Sequence, residues 1–116
     1  MVDLNGNDVP ANESGELIIA GKNIMVEYWN RPGATKSTLL NGWLHTGDVA
    51  TMDEEGFIYI VDRIKDMIIS GGENIYPAEI EKVLVGMPEI NQVAVIGVPD
   101  DKWGEVPVAV VARRDD

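Results

Sequence analysis

The sequence contains no cysteine and a single histidine, His45, among 116 residues. That excludes a disulfide framework, a cysteine nucleophile and any metal site built on Cys or on a His cluster. Cations are scarce as well: nine Lys and Arg stand against twenty Asp and Glu, for a net charge of -11. Phosphate-backbone binding depends on clustered Lys and Arg, so no nucleic-acid partner is expected, and an anionic membrane surface is disfavoured on the same ground. No apolar run approaches the ~20 residues of a membrane span. The opening residues, MVDLNGNDVPANESGE, carry no basic and apolar leader. A soluble, cytoplasmic protein is the expectation.

What is present is globular. Apolar residues make up 45% and charged ones 25%, enough to bury a modest core. Residues 1–15 are rich in Asn, Asp, Gly and Pro and read as loop, and GELIIAG, from Gly15 to Gly21, reads as the first strand. Pro32 and Gly33 break structure, and Ala34 to Leu40 form a short helix ended by Asn41 and Gly42. From Val49 to Val61, VATM and FIYIV flank DEEG, a turn sequence with Asp first and Gly fourth, so an antiparallel hairpin is predicted. Its pairing brings Asp48 and Arg63 together at the open end.

In the second half, DMIIS and ENIY flank Gly71 and Gly72 as a smaller hairpin. Pro77 opens an amphipathic helix whose apolar residues are Ile80, Val83 and Leu84, and Gly86 with Pro88 ends it. NQVAVIGV and VPVAVVA are two further strands joined by PDDKWGE. The fold class is α+β: a β-rich part, residues 1–64, built of hairpins and forming part of a distorted barrel, then a hinge and a small, incomplete α/β part, residues 65–116.

A carboxylate and a guanidinium side by side, next to Thr46 and Gly47, suggest a grip on a vicinal diol, since a carboxylate accepts two hydrogen bonds and Arg adds donors of complementary sign. An ordinary cross-strand ion pair is the competing reading.

The words GWLHTGDVATMDEEGFIYIVDRIKDMIISGGENIYPAEIE, in that order, closely resemble the adenylate-forming enzymes, the superfamily of acyl-CoA synthetases, peptide-synthetase adenylation domains and firefly luciferases. The resemblance runs from about Gly15 to Ala112. It implies that Asp48, of the Thr46-Gly47-Asp48 word, and Arg63 bind the ribose hydroxyls of ATP and of the acyl-adenylate, with Thr46 a further nucleotide-binding residue. It implies that Lys65 is the hinge about which a small C-terminal domain swings between two half-reactions; a solvated surface lysine is the plain alternative. The Gly71 and Gly72 loop then lines the tunnel for the pantetheine arm of CoA, with Gly72 at the matching position, although a tight turn alone also accounts for both glycines. Glu73 matches a residue that helps assemble the thioester site, and Trp103 an aromatic near the CoA nucleotide, with packing against its own domain the alternative. Trp43 and His45 read as structural.

Other words of the family are missing: the phosphate-binding loop with its Lys, the word that supplies a magnesium-binding Glu, and the C-terminal Lys that drives adenylation. The resemblance therefore implies a fragment spanning the end of the large domain and the start of the C-terminal one, inactive in isolation, with surfaces open to edge-strand pairing into a homo-oligomer. No metal ligand is expected in this chain. SGGENIYPAEIE and DDKWGE are more like acyl-CoA synthetases than peptide-synthetase domains. The implied reaction is ATP-dependent joining of a carboxylic acid, a fatty acid by preference, to CoA, with magnesium accompanying the ATP. The alternatives are a carrier-protein acceptor or a non-catalytic nucleotide-binding module.

Overall fold

The structure, a computed structural model, describes residues 1–114. They form two compact units, Met1–Ile60 and the described residues from Val61 onward.

In the first unit β1 (Ser14–Ile19) pairs antiparallel with β3 (Trp43–Met52), which also pairs with the two-residue β2 (Leu39–Leu40). β4 (Ile58–Arg63), whose first three residues belong to this unit, joins the sheet beside β3. The sheet is open, not a closed barrel. The DEEG turn forms as its sequence dictates. Gly56 N–H donates to the Asp53 carbonyl at 3.1 Å, Gly56 takes φ +89°, and the Asp53 carboxylate accepts from the amides of Glu55 and Phe57 and from the Tyr59 hydroxyl. Those bonds, the Phe57 amide foremost, hold the Asp53 carboxyl below the usual carboxylate range, and the same contact raises Tyr59.

Two local expectations change. The helix α1 runs Pro32–Thr38, not Ala34–Leu40, because proline's missing N–H is one the first turn leaves unused anyway. Asn41 and Gly42, expected as a helix stop, are instead the two-residue turn of a hairpin, with φ +51° and +83°, pairing Leu39 with Leu44 and Leu40 with Trp43. The opening loop is also tied down. Val2 is buried, its carbonyl accepts Glu16 N–H at 2.7 Å, and Asp3 bonds the amides of Asn5 and Asn7. With Val49 and Ala50, Val2 makes the core of this unit.

The second unit is a four-stranded antiparallel sheet in the order β6-β5-β8-β7, formed by β5 (Ile68–Ser70), β6 (Glu73–Ile75), β7 (Ile90–Asp100) and β8 (Gly104–Arg113). The helix α2 (Pro77–Leu84) follows β6, and Ile68, Ile90 and Val95 supply the core. Val83, expected on the helix's packed face, is 73% exposed. Pro77, Ile80, Glu81 and Leu84 fall within an arc of about 100°, and Val83 lies outside it by roughly 60°. Glu81 takes the inner position because its carboxylate accepts the Val95 amide at 2.8 Å.

Candidate functional site

The Thr46-Gly47-Asp48 word sits inside β3 as a bulge. Glu16 pairs with Val49 and Ile18 with His45, so the three residues 46–48 stand opposite the single residue Leu17. Extra residues in a ladder leave backbone groups without strand partners, and a buried amide must then find another acceptor. The side chains supply them. Thr46 Oγ1 donates to the Leu17 carbonyl at 2.7 Å and accepts Asp48 N–H at 3.1 Å, while Gly47, at φ +72°, donates its N–H to Glu16 Oε1 at 3.1 Å. The other oxygen of Glu16 lies 2.8 Å from His45 Nδ1, and since a carboxylate only accepts, Nδ1 carries the proton. Side-chain exposures of 18% for Glu16 and 27% for His45 keep these bonds out of full competition with water. Asp48 is thus the third residue of a bulge braced from two sides.

Arg63 is the last residue of β4 and belongs to the second unit. Just before it, Asp62 accepts Arg63 N–H at 2.7 Å through one oxygen and Ala78 N–H at 2.9 Å through the other. Residue 76, at the start of α2, is a Tyr that cannot cap, so Asp62 provides the cap from sixteen residues upstream. Lys65 is exposed in the 3₁₀ turn Ile64–Asp66, closed by Met67 N–H to the Ile64 carbonyl at 3.2 Å. A cleft of about 370 Å³ within this unit is lined by Asp62, Lys65, Asp66, Glu81 and Glu105 among others. Three of those four acids already hold backbone amides, of Ala78, Val95 and Ile69.

The two glycines form the turn of the β5–β6 hairpin, with φ +58° at Gly71 and +88° at Gly72, and Glu73 is exposed opposite Ser70. They differ in their surroundings. A Cβ on Gly71 would lie 2.6 Å from Trp103 Cε3, whereas one on Gly72 would meet nothing within 4 Å. Gly71 N–H donates to the Trp103 carbonyl at 2.8 Å, so this turn is docked on Trp103 by backbone and ring together. The loop carrying Trp103 is set by Asp100, whose Oδ1 accepts the amides of Lys102 and Trp103, and Lys102 Nζ stands 4.6 Å from the indole centroid. Trp103 remains 48% exposed despite covering Gly71.

The structure therefore joins Gly71 to Trp103 and keeps Gly72 and Glu73 on the same turn, while Thr46 and Asp48 share the bulge of the other unit. Among the described residues no group of three or more His, Asp or Glu is placed to hold a metal, and no helix is long and apolar enough to cross a membrane. Sequence reading missed Glu16 and Asp62, whose partners are distant along the chain. A Glu inside the otherwise apolar GELII strand was the available signal for the first.

Comparison with known proteins fits this geometry. Residues 79–116 match the AMP-binding enzyme C-terminal domain. The chain is 57% identical over 110 residues to a feruloyl-CoA synthase of Amycolatopsis sp, covering 95% of this chain and 22% of that protein. It is 54% identical over 112 residues to the long-chain-fatty-acid–CoA ligase FadD13 of Mycobacterium tuberculosis, again covering 95% of this chain and 22% of the relative. Among solved structures, o-succinylbenzoate CoA synthetase (MenE) from Bacillus subtilis, in complex with its acyl-adenylate intermediate, superposes with a TM-score of 0.91 at 44% identity over 99% of this chain and 24% of that one. The same enzyme has been solved with AMP and with ATP and magnesium ion. The chain thus spans less than a quarter of the length of these relatives. Residues 79–116 thus belong to the AMP-binding enzyme C-terminal domain, and along nearly its whole length the chain is homologous to part of these CoA ligases.

Proposed function

We propose that these residues are part of an ATP-dependent carboxylate–CoA ligase. In the first half-reaction a carboxylate oxygen attacks the α-phosphorus of ATP, giving an acyl-adenylate and pyrophosphate; in the second the CoA thiol attacks the acyl carbon and AMP leaves. The observation that carries this reading is the braced bulge, which holds the backbone of Asp48 at a fixed place in the sheet. A carboxylate so held suits a vicinal diol, and we assign Asp48 and Arg63 to the ribose, with Thr46 shaping the bulge.

Lys65 is the pivot of the domain boundary in this reading, dividing residues 1–64 from 65–116, and its exposed 3₁₀ turn is a short segment able to absorb backbone rotation. Gly71, Gly72, Glu73 and Trp103 form the wall for the CoA arm: the absent Cβ of Gly72 leaves backbone open to a ligand, and that of Gly71 makes room for the Trp103 ring. Magnesium enters with ATP, on ligands outside this chain. The named acids of the relatives are feruloyl, succinylbenzoyl and long-chain fatty acyl groups. We take a fatty acid as the first candidate and an aryl acid as the second.

The test is AMP release by the full-length enzyme with ATP, magnesium and a panel of fatty and aryl acids, with and without CoA. Release that depends on both acid and CoA is expected, and the preferred acid identifies the substrate class. Adenylate formation that ignores CoA would transfer the proposal to a carrier-protein acceptor, and inactivity with every acid would favour a nucleotide-binding module.

A further inference from the structure

Asp48 can serve a ribose only if the backbone before it stays in its bulged form, and three observations trace that form to one side chain. Gly47 is at φ +72°. Its N–H, displaced from the ladder where residues 46–48 face Leu17, finds its acceptor in Glu16 Oε1 at 3.1 Å. Glu16 is itself fixed by His45 Nδ1 at 2.8 Å and by its own backbone, which bonds the Val2 carbonyl at 2.7 Å in the unit's core. Thr46 braces the bulge from the Leu17 side but leaves the Gly47 amide to Glu16 alone among the bonds described. Without that acceptor the Gly47 peptide has reason to rotate toward water, which turns the following residue with it.

We propose that Glu16 is a positioning residue for nucleotide binding: its carboxylate, oriented by His45, fixes the Gly47 peptide and thereby the placement of Asp48. This rests on the assignment of Asp48 to the ribose. The same brace explains why a charged residue occupies a strand position whose neighbours Leu17, Ile18 and Ile19 are all apolar. Gln at position 16 retains an oxygen for Gly47 but turns an NH2 toward His45, so it loses both the charge and the acceptor for the Nδ1 proton.

The experiment is a double-mutant cycle in the full-length enzyme, reading ATP KM and kcat for acid-dependent pyrophosphate release in Glu16→Ala, Glu16→Gln, Asp48→Ala and the double variant Glu16→Ala with Asp48→Ala. Loss of one charge-assisted hydrogen bond to a backbone amide predicts a rise of about tenfold in ATP KM for Glu16→Ala, a smaller rise for Glu16→Gln and little change in kcat at saturating ATP. If Glu16 acts through Asp48, the double variant binds ATP no worse than Asp48→Ala alone. Additive effects, or loss of kcat with ATP KM unchanged, would overturn the positioning role. Should Glu16→Ala fail to fold, Glu16→Gln carries the decision in its place: an ATP KM equal to that of the unmodified enzyme overturns the proposal. Asp48→Ala with normal ATP KM would instead overturn the ribose assignment itself.

Discussion

The bulge at Thr46-Gly47-Asp48 and the turn at Gly71-Gly72 both need glycine at positive φ, yet they are stabilised in opposite ways. The bulge is held by side chains: Thr46 and Glu16 take up the groups that the ladder leaves over, and His45 steadies Glu16. The turn is held by backbone and by the absence of a side chain, with Gly71 N–H on the Trp103 carbonyl and the indole lying where a Cβ would go. A polar brace fixes one geometry, which suits the ribose contact proposed for Asp48. In that turn only Gly72, where a Cβ would meet nothing within 4 Å, leaves backbone uncovered, which under the proposed function suits an elongated thiol that must pass close to it.

The largest effect expected from breaking this contrast comes at the bulge. Asp48→Ala removes a carboxylate from the proposed ribose contact, so ATP KM should rise by about tenfold to a hundredfold, checked by pyrophosphate release against ATP concentration. Between the two regions, Lys65→Pro stiffens the exposed 3₁₀ turn and should slow acyl-CoA formation several-fold more than pyrophosphate release. Equal losses in both half-reactions would remove the hinge assignment.

The turn offers a finer comparison, because its two glycines share a positive φ but not a neighbour. Gly72→Ala should cost roughly 1–2 kcal/mol of unit stability, the conformational penalty alone. Gly71→Ala adds a collision with Trp103 Cε3 at 2.6 Å and should cost more, displacing the indole, with thermal unfolding and Trp fluorescence reporting both. Equal destabilisation would mean that Trp103 yields freely. The smallest effect lies at the β3–β4 turn. Asp53 has its folded pKa lowered, chiefly by the Phe57 amide, so its contribution is complete at neutral pH and is lost as the pH falls through that lowered value. A pH titration of the Tyr59 resonances should show the loss, and Asp53→Asn should flatten it.

How much of this was legible in the sequence follows from distance along the chain. The DEEG hairpin, the Gly71-Gly72 hairpin, the helix opened by Pro77 and the long β7–β8 hairpin are each closed by residues a few positions apart, and turn chemistry identifies them. Asn41-Gly42 was misread because the same pair ends helices and closes two-residue hairpins, and only the pairing of Leu39 with Leu44 decides between the two. The bulge could not be read locally at all. Its brace comes from Glu16, 31 residues before Gly47, and no periodicity in β3 signals it. The motif words identify Thr46, Asp48 and Trp103 by likeness, but the crowding that demands glycine at Gly71 comes from Trp103, too far along the chain for any local signal.

The most direct test of the division between these two regions is to measure pyrophosphate release and acyl-CoA formation separately in full-length Asp48→Ala and Gly71→Ala enzymes. We predict that Asp48→Ala impairs the first step, and the second only in consequence, whereas Gly71→Ala leaves pyrophosphate release near its normal rate and slows thioester formation about tenfold or more, the effect of roughly 1.4 kcal/mol at the transition state. Loss of pyrophosphate release in Gly71→Ala, or normal ATP dependence in Asp48→Ala, would contradict it.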